Sequence, residues 1–327
     1  MTKLVLVGFG RWGKNLARVM NELGVLVMIM DNSADVRLEA GVKYPGVLVS
    51  DKMMFGSDGE PPLGICGAVL VTPAETHFLL TRQWLGAGFH VFTEKPMALS
   101  THDAQSMISW NKGKKLFVGH VFEYHPAVVR IVELVKAGYL GDVEYISSYQ
   151  LGPGKVRNKE NVIFSLAPHD VSMILRIMGS TGTIGILPKR VSAFGVSHCA
   201  DVAGTAAINI DFGMTQALVH VSWMNPQKRR QLTVVGSKRS IVFDDVAKKL
   251  MVYDRTGDIN AYAKDGSEIF YDSVTEPLKL EMEAFVKYIE TGEEPPTTGE
   301  SALRVVQVLE AAQQSMAKGS IPIDVLG

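Results

Sequence analysis

Leu4-Val5-Leu6-Val7-Gly8-Phe9-Gly10-Arg11-Trp12-Gly13 is the stretch that settles how this chain folds. Four consecutive apolar residues read as a short strand buried on both faces. The glycines after it match G-x-G-x-x-G and open a helical pattern over residues 13–23. Alone that pattern is weak; between a strand and a helix it is the phosphate-cradling turn of a βαβ unit. Gly8 permits the tight turn, Gly10 lets the backbone approach a pyrophosphate, and Gly13 lets helix and strand pack closely. The helix start supplies N–H donors for the anion. A second apolar run, Val25-Leu26-Val27-Met28-Ile29-Met30, ends in Asp31, roughly 20 residues on, where the fingerprint places its acid. A carboxylate there accepts hydrogen bonds from both ribose hydroxyls and repels a 2′-phosphate. This predicts NAD rather than NADP, with Arg11 and Arg37 as residues that would soften the preference. The competing explanation, a glycine-rich turn with a chance acid after it, has to produce strand, loop, helix and acid in order by accident. Gly8, Phe9, Gly10, Arg11, Trp12, Gly13 and Asp31 are therefore the first expected cofactor-binding residues.

Outward from this unit, short apolar runs alternate with helical patterns. Strands are expected at Lys3–Val7, Val25–Met30, Ala68–Val71, His90–Thr93 and Leu116–His120, with helices near Gly13–Leu23, Ser33–Gly41, Ala74–Gly88 and Thr101–Gly113. That alternation predicts an α/β architecture with a doubly wound parallel sheet. His125-Pro126 opens a further helix, since proline suits the first helical position. From Val143 the texture changes to strands separated by turn residues, at Val143–Gln150, Val191–His198, Thr205–Phe212, Gln216–Trp223, Gln231–Val235, Arg239–Phe243 and Leu250–Tyr253. One helix, about Ala167–Met178, interrupts them, and two more follow, Leu278–Thr291 and Gly299–Ala317. The expected organisation is a Rossmann domain over residues 1–121 and an α+β domain with a large, mostly antiparallel sheet over residues 122–327.

A chain of 327 residues exceeds one ordinary hydrophobic core, which agrees with two domains. Its 33 Lys+Arg against 34 Asp+Glu create no global field that would draw nucleic acid or an anionic membrane. Any anionic ligand is held by local groups. Cys66 and Cys199 make no disulfide framework and lack zinc-ligand spacing, so both read as plain thiols. The apolar run near Lys3 stops at Gly8, short of a signal peptide. No stretch approaches the roughly 18 apolar residues of a membrane helix. The expectation is a cytoplasmic protein.

Three segments follow apolar strands, at the sheet edge where doubly wound folds bind ligands. They are Thr72-Pro73 with His77 nearby, Glu94-Lys95-Pro96, and His120 onward. Lys95 has its backbone restrained by the following proline. A neighbouring cation and partial burial would lower its pKa and suit it to proton transfer or to polarising a hydroxyl. A surface lysine paired with Glu94 fits the sequence equally well. His169, in Ala167-Pro168-His169-Asp170, stands at a helix start, where an imidazole can take a hydroxyl proton as hydride leaves. Capping or packing that helix is the plainer reading of its position. His77 suits a cofactor contact better than a metal. His120 and His125 flank Val121-Phe122-Glu123-Tyr124, a spacing that is no standard metal pair, and no metal site is expected. The clusters Lys155-Val156-Arg157-Asn158-Lys159 and Lys228-Arg229-Arg230 are either solvated charge or grips for a diphosphate.

In this order, the glycine loop, Thr72-Pro73, Glu94-Lys95-Pro96 and the helix carrying His169 resemble the Gfo/Idh/MocA oxidoreductase family, over nearly the whole chain. The resemblance implies that Lys95 and His169 serve the reaction centre and that Thr72, Pro73, His77, Glu94, Lys95 and His120 line the cofactor. It also implies a second-domain sheet face that builds homodimers or homotetramers. Leu151–Arg157, Glu160-Asn161-Val162, Val221–Lys228 and Glu276-Pro277-Leu278 are similar to the family's nucleotide-sugar branch, which contains UDP-N-acetylglucosamine 3-dehydrogenases. That likeness implies oxidation of a ring hydroxyl, C3 of a UDP-N-acetyl-hexosamine, with Tyr124, Arg157, Asn161, Ser165, His169, Lys95 and Lys228 as substrate contacts. Ser165 departs from the pattern, since many members carry Asp four residues before the helix histidine. Two alternatives stay open: a keto-sugar reductase or free polyol or monosaccharide dehydrogenase of the same fold, and a non-catalytic NAD-binding regulator.

Overall fold

A computed structural model describes residues 2–53, 62–154, 160–181, 188–197, 202–255 and 265–325. The chain divides into two compact units, residues 1–120 with 277–303, and residues 121–276 with 304–327.

In the first unit the elements run β1 (Leu4–Val7), α1 (Gly13–Glu22), β2 (Leu26–Met30), α2 (Ala34–Lys43), β3 (Leu48–Ser50), β4 (Gly67–Leu70), α3 (Ala74–Gly86), β5 (His90–Glu94), α4 (Thr101–Ser109) and β6 (Leu116–Gly119). All pairs are parallel, in the order β3-β2-β1-β4-β5-β6. This is the order of a doubly wound dinucleotide fold, which reverses direction between β1 and β4. Leu4, Val5 and Leu6 of β1 are fully buried, as a strand with helices on both faces must be. No sequence pattern predicts β3. It is three residues long, lies at the sheet edge and leaves Leu48 36% exposed, so it carries no burial pattern to detect.

The second unit contains α5 (Pro126–Lys136), β7 (Val143–Pro153), α6 (Val162–Ser165), α7 (Ala167–Gly179), β8 (Arg190–Val196), β9 (Thr205–Asp211), β10 (Gln216–Ser222), β11 (Met224–Gly236), β12 (Arg239–Asp244), β13 (Lys249–Asp254) and β14 (Ser267–Glu268). After them the chain forms α8 (Pro277–Thr291) and α9 (Gly299–Ala317), then closes with β15 (Ile323–Asp324). The sheet order is β14-β13-β12-β11-β7-β10-β9-β8-β15, antiparallel except where β10 runs parallel to β7. Strict alternation along β9 and β10 buries Ala206, Ile208, Ile210, Ala217, Val219 and Val221 on one face. That face joins one apolar cluster with Val171, Ile174 and Ile177 of α7 and with Val308 and Leu309 of α9.

Two consecutive domains, 1–121 and 122–327, would leave α8 in the second. It belongs with the first. Phe285 is fully buried and its ring meets Phe92 of β5 at 5.7 Å and Phe117 of β6 at 5.4 Å. Phe92 and Phe117 themselves stack at 5.1 Å. The sheet face at β5 and β6 is aromatic, and the amphipathic helix that covers it follows in the chain only after the strands of the second unit.

Candidate active site

In the first unit Gly8 has φ +98°, a conformation that residues with a Cβ rarely adopt, and a Cβ there would lie 2.7 Å from the Val71 carbonyl oxygen. A Cβ on Gly13 would run into the Gly8 carbonyl. At Gly10 a Cβ would meet nothing within 4 Å, so the loop is open on that side. The first turn of α1 carries no acid. These features fit a dinucleotide phosphate.

Asp31 at the end of β2 accepts the Phe9 N–H at 2.8 Å through Oδ2 and the Ser33 N–H at 2.9 Å through Oδ1. A carboxylate offers about four lone-pair sites, so acceptor capacity remains for ribose hydroxyls. Phe9 itself is scaffold: its ring is fully buried, edge-on to Tyr44 at 6.1 Å, and its amide is given to Asp31. Arg37 donates to the backbone carbonyls of Asp31 and Asn32, both at 2.9 Å, while Arg11 is exposed.

The Thr72-Pro73 and Glu94-Lys95-Pro96 segments are tied together by His77. Its Nε2 lies 2.9 Å from the Thr72 carbonyl and its Nδ1 lies 2.8 Å from the Pro96 carbonyl. With both nitrogens facing backbone carbonyls, one of them donating, and the ring buried, His77 braces the Thr72-Pro73 turn against Glu94-Lys95-Pro96. Burial lowers its pKa, against the pull of the two carbonyls. Thr72 shares a hydroxyl–hydroxyl bond of 2.6 Å with Thr76. Lys95 is half-buried, and the Lys95–Pro96 peptide is cis. Two buried groups flank it. Burial pushes Glu94 up to about 7, and burial with the nearby Lys95 charge pushes His120 down to about 3. His120 is therefore a neutral imidazole at pH 7, and its ring nitrogens meet no hydrogen-bond partner among the described residues.

In the second unit His169 is half-buried in the first turn of α7, after Pro168. The ring of Phe122 packs edge-on against it with centroids 5.0 Å apart, a contact no sequence pattern signals. Asp170, the next residue, is buried; Ser148 Oγ donates to its Oδ1 at 2.5 Å, and burial pushes its pKa up to about 7. Asn161 caps α6, accepting the Phe164 N–H at 3.1 Å, and its amide donates to Gln313 at 3.1 Å. Tyr124 and Ser165 are buried, and Lys228 is exposed on β11 where the register with β7 shifts. Arg157 and the rest of the 155–159 cluster, like Cys199, lie outside the described residues.

Residues 2–120 match the family model described as "oxidoreductase family, NAD-binding Rossmann fold", and residues 132–325 match its companion, "oxidoreductase family, C-terminal alpha/beta domain". The chain belongs to the Gfo/Idh/MocA oxidoreductase family. As a member it is an NAD-binding oxidoreductase. It is similar to the UDP-N-acetylglucosamine 3-dehydrogenase of Acidithiobacillus ferrooxidans, 27% identical over 260 residues covering 76% of each chain. A solved structure of that organism's enzyme superimposes with a TM-score of 0.81 at 23% identity, over 96% of this chain and 98% of the other. Inositol 2-dehydrogenase of Rhizobium meliloti is 23% identical over 334 residues, 96% of each chain. GenD2 from gentamicin A biosynthesis, solved in complex with NAD, has a TM-score of 0.81 at 22% identity, over 99% of this chain and 96% of that one.

Proposed function

We propose that this family member is a cytoplasmic NAD-dependent sugar dehydrogenase that oxidises a ring hydroxyl, with C3 of a UDP-N-acetyl-hexosamine as the leading substrate. The observation that carries the dehydrogenase reading is the open glycine cradle with Asp31 at the end of β2, followed by the braced Glu94-Lys95-Pro96 turn. The substrate reading draws its support from the similarity to a UDP-N-acetylglucosamine 3-dehydrogenase over three quarters of the chain.

In this reading the glycine loop and the α1 N-terminus hold the pyrophosphate and Asp31 holds the adenosine ribose. The bound nicotinamide supplies a hydride acceptor. Lys95 holds the substrate oxygen by hydrogen bond, and His169 takes the hydroxyl proton as the C–H electron pair leaves, so a CH–OH becomes C=O. Tyr124, Arg157, Ser165 and Lys228 are the proposed substrate grips; Asn161 acts through the α6 cap. Phe194, 60% exposed on β8, belongs to a sheet face we propose as the contact of a homodimer or homotetramer.

A second reading, a free polyol dehydrogenase, is favoured by the end-to-end similarity to an inositol dehydrogenase. A screen of UDP-N-acetyl-hexosamines, other nucleotide sugars, free sugars and inositols, following NADH absorbance, separates the two. Run with an aminotransferase present to draw off the ketone, it is expected to give turnover on a UDP-N-acetyl-hexosamine. Turnover confined to inositols would replace the first reading by the second. Bound dinucleotide with no turnover on any of them would make the protein a regulator.

A further inference from the structure

The G-x-G-x-x-G turn asks nothing of its x positions, yet the chain places a tryptophan at the last of them. Trp12 stands at the N-cap of α1 but makes no side-chain bond to that helix. Its side chain turns instead to the end of β5, where the indole Nε1–H donates to Glu94 Oε1 at 2.5 Å. The other carboxyl oxygen of Glu94 accepts the Lys95 backbone N–H at 3.1 Å. The acid thus has one oxygen on the phosphate loop and one on the peptide that carries Lys95. A third segment closes round it: a Cβ on Gly119, at the end of β6, would come within 3.1 Å of the Glu94 carboxyl. Glu94 is only 8% exposed, while the indole that holds it is 41% exposed. A buried carboxyl needs partners, and both of these are donors that come from ligand-binding loops.

We propose that Trp12 is a positioning residue: its indole N–H fixes the Glu94 carboxyl, and through it the Lys95 backbone, against the dinucleotide loop. This rests on the proposed role of Lys95. It assigns Trp12 a task distinct from contact with the dinucleotide, and makes the placement of Lys95 depend on the conformation of the phosphate turn. The charged group facing the carboxyl is Lys95, whose charge also acts on buried His120. The indole donor pulls Glu94 down against the burial that raises it, so removing the donor raises its pKa further.

The test uses the full chain with Trp12→Phe, Glu94→Gln and the double variant. Turnover of whichever sugar the screen identifies, NAD affinity by calorimetry, and indole emission of the ligand-free protein from pH 5 to 9 are measured. Trp12→Phe is expected to lower kcat about tenfold, the worth of a hydrogen bond to a charged group, while the Kd for NAD moves less than about threefold. The double variant should lose no more than the worse single variant, because both break the same link. In the wild-type protein, emission should titrate near pH 7, and Glu94→Gln should abolish that titration. Additive losses, or a rise in the Kd for NAD as large as the fall in kcat, would mean that Trp12 acts by touching the dinucleotide and would overturn the proposal. So would indole emission that Glu94→Gln leaves unchanged. The emission arm needs no turnover, so it still decides if no sugar is oxidised or if Trp12→Phe fails to fold.

Discussion

His77 and Lys95 show how a side chain's surroundings decide between roles that its identity leaves open. Lys95 lies just past β5 and His77 in α3, yet both ring nitrogens of His77 face backbone carbonyls, of Thr72 and Pro96, whereas Lys95 is half-buried between two groups with strongly displaced pKa values. Such displaced groups cluster where chemistry is done. Lys95→Ala and His169→Ala are each expected to lower turnover by roughly 10²–10⁴, the usual share of acid–base catalysis, with NAD affinity nearly intact. Steady-state rates beside calorimetric Kd values check this, and near-normal turnover in both variants would remove them from the reaction. Asp31→Ala should act the other way round. Loss of the ribose acceptors raises the Kd for NAD about tenfold to a hundredfold and narrows the preference over NADP. An unchanged NAD/NADP ratio would show that Asp31 serves only the Phe9 and Ser33 amides.

At the scale of elements, α8 is the informative case. Its sequence reads as an amphipathic helix, and so it is, but the pattern names no partner. The partner is the Phe92–Phe117 stack of the parallel sheet, against which Phe285 closes an aromatic triad, while Lys115 lies over the Tyr288 ring at 4.5 Å. Phe285→Ala is expected to destabilise the first unit by about 3–5 kcal/mol, as a fully buried aromatic replaced by a methyl leaves a cavity. Denaturant unfolding followed by emission, with and without NAD, measures it. Because NAD binds the native form of that unit, saturating dinucleotide should recover part of the lost stability. The glycine loop mixes the two cases: Gly13 is required by the Gly8 carbonyl, a neighbour within the same motif, whereas Gly8 is required by Val71 and Thr72 just past β4.

For the molecule as a whole, near-zero net charge leaves stability to depend on where individual charges are buried. Burial raises Asp170 from 3.8 to about 7 and Glu123 from 4.5 to about 8, the latter against the pull of Arg176 and Arg304. A carboxyl raised in the folded state holds its proton more tightly there than in the unfolded chain. Its contribution is full below the unfolded value and is lost as pH rises through the folded one. Asp170→Asn keeps an acceptor for the Ser148 hydroxyl but cannot ionise. Its stability relative to wild type should therefore climb between about pH 4 and pH 7 and level off above, read as the difference in urea midpoints across pH. A difference independent of pH would mean that Asp170 ionises in the fold as it does in water.

Much of this was legible in the residues alone. Strand, glycine turn, helix and acid are a local code, with every member within about thirty residues, and period-2 alternation marks the second sheet without fixing its strand order. Glu94-Lys95-Pro96 and His169 stood out because a few residue types in fixed order resemble a family. Tertiary structure alone decided what depends on distant partners. It moved α8 to the first unit, turned His77 and Asn161 into braces, set Phe122 against His169 and joined Trp12 to Glu94 across 82 positions. A one-dimensional pattern records how each segment presents its faces, but burial and hydrogen-bond pairing are properties of two segments at once, and only folding brings the second one into view.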